Sequence, residues 1–433
     1  MRIAVVGTGY VGLVSGAGFA DFGNEVLCVD VDESKVESLS RGEVPFYEPG
    51  LPDLVERNVR ERRLRFTTSL AEATKWAQVV FICVGTPQAP DGAADLRYVD
   101  AAAATIGSSM PGYRLIVQKS TVPVGTGDRV RAILRKHARR RAPFDVASNP
   151  EFLRQGAAVE NFMRPDRIVI GAESDRARRM LREIYAPLYL IETPMVVTDI
   201  RTAELIKYAA NSLLATKISF INEMANLCEA VGADVHDVAK AVGLDRRIGS
   251  KFLHPGPGFG GSCFPKDTQA LCHFAKKAGE PMRIVRAVIE VNDEQRKRAA
   301  RKILAALKGR GPHTVALLGL TFKPDTDDLR AAPSLDIIRI LLRRGVRVRV
   351  YDPVVREGTA GVPKGAEFAS GAYDAVKGAD ALAIVTEWNE FRRLDLARVR
   401  RLMRRRAFVD LRNVYDPETV RKHGFEYTSV GRP

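Results

Sequence analysis

The tightest constraint on the fold of this chain is an alternation of short apolar runs with helical patterns, which occurs twice. In the first 200 residues the runs at 3–6, 26–29, 79–84, 115–117, 145–147 and 168–170 have strand lengths, and helical patterns such as 13–22 and 130–138 lie between them. Such alternation predicts a mostly parallel sheet covered by helices on both faces. From Asp199 the pattern changes. Leu205, Tyr208, Ala209, Leu213, Thr216, Phe220, Met224 and Leu227 recur at helical spacing, and neither proline nor glycine intervenes before Gly232. One long helix is predicted, a connector between domains or the spine of a dimer. A second helix-rich stretch covers 281–307. After Gly309-Arg310-Gly311-Pro312 the alternation returns, with strands predicted at 314–318, 346–351, 381–385 and 407–410.

Residues 2–6 lead directly into Gly7-Thr8-Gly9-Tyr10-Val11-Gly12, and a helix follows. In such a loop the first glycine allows a tight turn, the second lets backbone approach a pyrophosphate, and the third permits close helix packing. The helix N-terminus adds N–H groups and a positive dipole. The second strand ends at Asp30, 18 residues past Gly12, where a carboxylate can accept hydrogen bonds from a ribose hydroxyl pair. A 2′-phosphate would be repelled there, so NAD is expected rather than NADP. Lys35 either tolerates a phosphate or lies along the ribose. A tight turn without a ligand is the bland alternative, and it leaves the register of strand, helix and acid unexplained. The predicted architecture is therefore α/β, with two Rossmann-like doubly wound domains joined by a long central helix and a helical middle domain. The expected divisions are 1–198, 199–308 and 309–433.

With 433 residues the chain exceeds one core. No run approaches the ~20 apolar residues of a membrane helix, and no apolar leader precedes the first strand, so a cytoplasmic protein without membrane contact is expected. Five cysteines without a CxxC pair read as free thiols, and six histidines without HxxxH or HxH spacing give a metal site no support. The net charge of +15 raises nucleic acid as a partner. However, the basic runs 135–141 and 398–406 sit beside Ile133, Leu134, Leu402 and Met403 and carry no nucleic-acid motif, so solvated helix faces are expected and nucleic acid is not. A basic field would attract dianionic nucleotides.

The most informative segment runs from Phe252-Leu253-His254-Pro255-Gly256 through Pro257-Gly258-Phe259-Gly260-Gly261-Ser262-Cys263 to Phe264-Pro265-Lys266-Asp267. Cys263 follows a glycine-rich loop and precedes a helix that Pro265 can open. A helix N-terminus and a nearby lysine stabilise a thiolate, and the glycines leave room for a reactant. An inert cysteine would have an apolar periodic setting, as Cys28 and Cys83 do. Lys207 and Asn211, at i and i+4, share a helix face and suit an oxygen that gains negative charge, although spacing alone favours an exposed polar stripe.

At these motifs the chain resembles the nucleotide-sugar 6-dehydrogenase family, in particular its UDP-glucose branch. The likeness runs essentially end to end, through Gly7–Gly12, Cys83-Val84-Gly85-Thr86-Pro87, Lys119-Ser120-Thr121-Val122-Pro123, Asn149-Pro150-Glu151-Phe152-Leu153, Lys207 to Asn211, the cysteine segment, and Phe322-Lys323-Pro324. The resemblance implies a four-electron oxidation of UDP-glucose. Hydride passes from C6 to NAD, the cysteine captures the aldehyde, a second NAD takes a second hydride, and water cleaves the thioester. By position it implies Cys263 as nucleophile, Lys207 and Asn211 as oxyanion partners, Asp267 with Lys207 for water, and Glu151 and Thr121 for proton movement. For NAD it implies Gly7, Gly9, Tyr10, Val11, Gly12, Asp30, Lys35, Thr86, Pro87, Thr121, Gln155, Lys266 and Arg330. For the UDP-sugar it implies Glu151, Phe152, Leu153, Arg154 and Gln155, then Lys207, Asn211, Phe252, Leu253, His254, Pro255, Gly256, Gly260, Phe322 and Lys323. Arg247 resembles an arginine lent across a dimer interface, and a homodimer or higher homo-oligomer is expected. Gln155 stands where the family commonly has glutamate; an amide can hydrogen-bond but cannot act as a base.

Three other readings make different demands. A two-electron hydroxyacid-type dehydrogenase needs neither Cys263 nor a second α/β domain. A relative acting on GDP-mannose or a UDP-N-acetylhexosamine shares the motifs. A catalytically silent sugar-nucleotide sensor would be expected to lack the nucleophile or the lysine.

Overall fold

The computed structural model describes residues 1–138, 142–309 and 312–432, so parts of the first basic run and of the Gly309–Pro312 segment lie outside the described residues. The chain forms two compact units, Met1–Ala210 and Asn211–Pro433. The boundary falls within the helix Ile200–Val231, whose 32 residues match the long helix predicted from spacing.

The first unit is built on strands β1 (Arg2–Val6), β2 (Glu25–Val29), β3 (Leu64–Thr67), β4 (Val79–Ile82), β5 (Arg114–Gln118), β6 (Phe144–Ser148), β7 (Ile168–Ala172) and β8 (Met195–Thr198). They form one sheet in the order β3-β2-β1-β4-β5-β6-β7-β8, and only the β6–β7 pair is antiparallel. Successive residues of β4 feed opposite cores, as strand geometry dictates. Val79 and Phe81 pack with Leu13 and Phe19 on one face, while Val80 and Ile82 pack with Ile106 and Ile116 on the other. Burial on both faces is why the run is apolar at every position.

The second unit carries β9 (Thr314–Leu318), β10 (Arg347–Tyr351), β11 (Ala366–Phe368), β12 (Ala381–Ile384), β13 (Ala407–Asp410) and β14 (Glu426–Thr428). Their order is β11-β10-β9-β12-β13-β14, with every pair parallel. Ahead of this sheet, the second unit contains the helices Val235–Leu244, Phe264–Lys277 and Arg283–Ala306.

The second basic run departs from expectation. Arg398 and Arg401 are exposed on the helix Leu396–Leu402, but Arg404 and Arg405 both turn onto the fully buried Asp380, Arg405 at 3.3 Å. Part of the positive charge is therefore structural. All five cysteines are free. Among the described residues, no helix is long and apolar enough to cross a membrane.

Candidate active site

In the first unit the strand order reverses between β1 and β4, where ligands of open α/β sheets bind. Gly7 has φ +94°, and a Cβ there would lie 2.9 Å from the carbonyl oxygen of Cys83, so the turns after β1 and β4 touch only because Gly7 lacks a side chain. A Cβ on Gly12 would strike the carbonyl oxygen of Gly7. Gly9 caps the helix Tyr10–Asp21, and a Cβ there would meet nothing within 4 Å. Two glycines thus serve packing, and the middle one faces open space, the condition a pyrophosphate requires.

Asp30 follows β2. Its Oδ2 accepts from Thr8 N at 2.9 Å, Thr8 Oγ1 at 2.5 Å and Lys35 Nζ at 2.9 Å, while Oδ1 accepts from Asp32 N at 3.3 Å. Burial pushes this carboxyl up, but the bonds from Thr8 and Lys35 outweigh it and bring it down to about 2. The group is a carboxylate at any physiological pH, and it uses Lys35 as an ion-pair partner. Both halves of the Lys35 expectation are thereby narrowed: the ammonium sits on Asp30. Thr86, buried after β4, donates from Oγ1 to the carbonyl oxygen of Thr121 at 2.9 Å, while Pro87 is exposed and Val11 is half-buried against the core.

Beyond β6 lies the segment 149–157. Glu151 Oε1 is 3.0 Å from Lys207 Nζ with both side chains buried, and Oε2 accepts from Leu153 N at 2.5 Å. The Lys207 ammonium also lies 5.3 Å from the Phe152 ring centre, and the Arg167 guanidinium stacks on the same ring at 3.5 Å. Arg154 is exposed and binds Asn161, whereas Gln155 is half-buried. Glu48, nearly inaccessible, accepts from Gly156 N at 2.7 Å and Ala158 N at 2.8 Å, fixing the far end of this segment. Glu204 does the same for the Thr121 loop, accepting from Gly125 N and Gly127 N at 2.7 Å each. Burial, opposed by those two amides, pushes its carboxyl up to about 7.

In the second unit Cys263 is the N-cap of Phe264–Lys277, with a proline in the first turn as the sequence suggested. It is half-buried, and its Sγ lies 3.5 Å from Ser262 Oγ. The other four thiols are all pushed up by burial, Cys83 to about 12. Asp267 is fully buried; its Oδ1 takes Lys266 Nζ at 2.6 Å and its Oδ2 takes Asn211 Nδ2 at 2.6 Å. Lys266, expected against NAD, here serves Asp267. Lys207 and Asn211, one turn apart, are both buried, so the exposed-stripe alternative is wrong.

Leu253 is buried and His254 exposed, and Phe252 holds a left-handed φ of +67° with its ring edge-on to Phe264. Gly260 admits no side chain, since a Cβ would lie 2.4 Å from the carbonyl oxygen of Ala331. After β9, the half-buried Lys323 lies 5.7 Å from the Phe322 ring centre. Arg330 makes a two-point contact with Asp328, and the exposed Arg247 makes the same kind with Asp245. Arg412, which the sequence reading missed, follows β13. It donates to the carbonyl oxygens of Val385 and Phe322, and its Nη1 is 3.1 Å from where a Cβ on Gly256 would stand. Neither Arg167 nor Arg412 lies in a periodic or glycine-rich setting, so no local signal singled them out.

The second sheet repeats the plan of the first with one change. Gly319 N donates to the carbonyl oxygen of Tyr351 as Gly7 N does to Val29, and Asp352 follows β10 as Asp30 follows β2. However, Asp352 is fully engaged. Its Oδ2 accepts from Leu320 N, Thr321 N, Thr321 Oγ1 and Trp388 Nε1, and its Oδ1 from Val354 N and Val355 N.

A dinucleotide crevice in one unit, and in the other a half-buried cysteine capping a helix, together with a second nucleotide-type sheet, define an NAD-dependent oxidoreductase. Three models of one family match in succession. They are the UDP-glucose/GDP-mannose dehydrogenase NAD binding domain at residues 1–189, the central domain at 201–294 and the UDP binding domain at 316–417. The chain belongs to the UDP-glucose/GDP-mannose dehydrogenase family. It is 53% identical to a UDP-glucose 6-dehydrogenase of Rhizobium meliloti strain 1021, over 100% of both chains. It is 49% identical to the UDP-glucose 6-dehydrogenase TuaD of Bacillus subtilis strain 168, over 100% of this chain and 93% of that one. Among solved structures, a UDP-glucose dehydrogenase from Pyrobaculum islandicum matches with TM-score 0.92 and 40% identity, over 100% of this chain and 98% of that one. A UDP-D-ManNAc dehydrogenase from Pyrococcus horikoshii matches at 0.88 and 29%, over 100% and 99%.

Proposed function

We propose that this protein oxidises the C6 alcohol of UDP-glucose to the carboxylate of UDP-glucuronate, four electrons in all. The observation that carries the reading is the setting of Cys263: a half-buried thiol that caps a helix N-terminus after a glycine-rich loop, whereas the other four thiols are pushed up by burial and cap no helix. The first oxidation removes a hydride from C6 and a proton from its hydroxyl. Lys207 and Asn211 stabilise the oxygen as charge builds on it, worth several kcal/mol in a water-poor site, and Glu151 and Thr121 handle the proton. The Cys263 thiolate adds to the resulting aldehyde. Loss of a second hydride leaves a thioester, and water held by Asp267 with Lys207 cleaves it to carboxylate and free thiol. NAD, when bound, accepts the hydride at each oxidation. Because Gln155 cannot ionise, Glu151 is the carboxylate of its segment available for proton transfer.

The same reading assigns NAD to residues 1–198, the nucleophile loop to 199–308, and the UDP-sugar to 309–433 with Phe252–Gly256. Gly9, the ribose-facing Asp30 and the Thr86–Thr121 pair hold the dinucleotide, with Tyr10, Val11, Lys35, Pro87, Gln155, Lys266 and Arg330 around it. Lys323 and Arg412 supply positive charge for a diphosphate. Two NADH per UDP-glucose is the expected count in a screen that also offers GDP-mannose, UDP-N-acetylhexosamines and NADP. One NADH per sugar overturns the four-electron reading, and faster turnover of another sugar nucleotide replaces the substrate. Asp30→Ala is expected to raise the Michaelis constant for NAD by about tenfold or more, the worth of hydrogen bonds to a charged group; an unchanged constant removes Asp30 from the cofactor site.

We also assign the exposed stripe Leu213, Phe220, Leu227 and Val231, 48–67% accessible at near-heptad spacing, to contact with a second copy of the chain. A monomer in sedimentation at micromolar concentration overturns that assignment.

A further inference from the structure

The loop leading to Cys263 has almost no secondary structure of its own, yet it is buried from Gly256 to Gly261. A buried loop needs partners for its backbone N–H and C=O groups. Here the partners are mainly carboxamide side chains from two helices, joined by the Arg296 guanidinium, which donates to the Phe259 carbonyl at 2.7 Å. Gly256 N donates to Asn222 Oδ1 at 2.8 Å, and Gly256 O accepts from Gln295 Nε2 at 2.9 Å. Three residues on, Asn292 takes both groups of Phe259, its Oδ1 accepting from the N–H at 2.7 Å and its Nδ2 donating to the carbonyl at 3.2 Å. Gln295 is oriented in turn by Asn226, which donates to its Oε1 at 3.0 Å. Asn222 and Asn226 sit on Ile200–Val231, Asn292 and Gln295 on Arg283–Ala306. Asn222, Asn292 and Gln295 are at most 3% exposed.

Side-chain amides suit this task because each presents a donor and an acceptor in one plane, the pairing a neighbouring strand would offer, without burying net charge. The fit is close: a Cβ on Gly258 would stand 2.8 Å from Asn292 Oδ1. Beyond the clamp only Gly260, Gly261 and Ser262 separate Phe259 from the sulfur, and Gly261 N is itself tied to the Arg330 carbonyl at 2.8 Å.

We infer that Asn292 and Gln295 are positioning residues for the reaction, clamping the glycine loop so that Cys263 is held at the mouth of its helix. The inference rests on the nucleophile role proposed above. Neither residue needs to touch substrate or cofactor, so their loss acts on the sulfur rather than on binding of the dinucleotide.

The test uses the full-length enzyme carrying Gln295→Met or Asn292→Asp. Gln295→Met keeps the volume and removes both hydrogen bonds. Asn292→Asp keeps the acceptor for Phe259 N and removes one of the two donors to Phe259 O, leaving that of Arg296. Each is expected to lower kcat by about ten- to a hundredfold, the effect of displacing a reacting group by a fraction of an ångström to an ångström, with the Michaelis constant for NAD within about threefold of the unsubstituted enzyme. Alkylation of Cys263 by iodoacetamide, followed by peptide mass across pH 6 to 10, is expected to slow at neutral pH, its midpoint moving upward as the thiolate loses its place at the helix end. A merely structural role lowers the melting temperature and leaves that profile where it was. Superimposable alkylation profiles with unchanged kcat in Gln295→Met overturn the clamp even if Asn292→Asp folds poorly. Cys263→Ser separates the two readings. If that variant still makes the acid at full rate, the nucleophile role fails; if it is dead while Gln295→Met is indistinguishable from the unsubstituted enzyme, only the clamp fails.

Discussion

Cys263→Ser is expected to lower formation of the carboxylate by on the order of 10³-fold or more, the scale seen when a covalent nucleophile is removed from an otherwise intact site. NADH released per sugar is expected to fall from two to at most one. The substitution exchanges one atom and sits at a helix N-cap, where serine is among the preferred residues. The variant should therefore fold with an unchanged melting temperature, and the loss will be chemical. A serine hydroxyl stays protonated where a thiol at a helix end ionises, and Ser262 Oγ, a polar neighbour at 3.5 Å, is no base for another hydroxyl. Undiminished production of the acid would refute covalent catalysis.

The second large effect is expected from Lys207→Met, a loss of about 10² to 10³ in kcat if, as proposed, this cation faces developing oxygen charge. The same change strands Glu151, whose carboxylate is 3.0 Å from the ammonium with both side chains about 95% buried. Leaving one member of a buried pair alone costs about 3–5 kcal/mol, so the variant should melt several degrees lower. The double variant Lys207→Met with Glu151→Gln separates the two consequences. Removing the stranded charge should restore most of the stability and none of the turnover. A single variant with near-normal kcat would remove Lys207 from the chemistry.

The strands that were legible in the sequence and those that were not divide by position in the sheet. The interior strands were visible because burial leaves most of their positions apolar, throughout in Val79–Ile82 and at alternate residues in β10, where the buried Val348 and Val350 alternate with Arg347 and Arg349. The four overlooked strands, β3, β8, β11 and β14, are the four sheet edges. They are three or four residues long and only partly covered, with Arg65, Glu367 and Glu426 among them. An edge strand has one neighbour and little apolar cover, so its pattern merges with that of a loop.

The site divides similarly. Motifs with local backbone demands, Gly7 to Gly12 and Gly256 to Cys263, could be read directly, whereas the spacing of Lys207 and Asn211 favoured an exposed stripe and both are buried. Partners supplied from a distance could not. Glu48 reaches a segment more than 100 residues away, Arg167 stacks on Phe152 across a turn, and Asn292 meets Phe259 from another helix. Their roles depend on tertiary placement, and their own neighbourhoods look like ordinary helix or loop.

The sealed acid of the second sheet bears on the order of events. Asp352 gives all of its acceptor capacity to six donors of its own fold, whereas Asp30 keeps one oxygen with a single long contact. Only the first crevice therefore offers a carboxylate to a ribose. If two hydrides leave one carbon, both depart through that one berth, and the spent carrier must vacate it between oxidations while the sugar stays tethered by sulfur. A single turnover with substoichiometric NAD should then stall halfway, with sugar still attached to the folded protein and co-eluting with it in native gel filtration. Free aldehyde accumulating in that experiment would contradict the sequence of events.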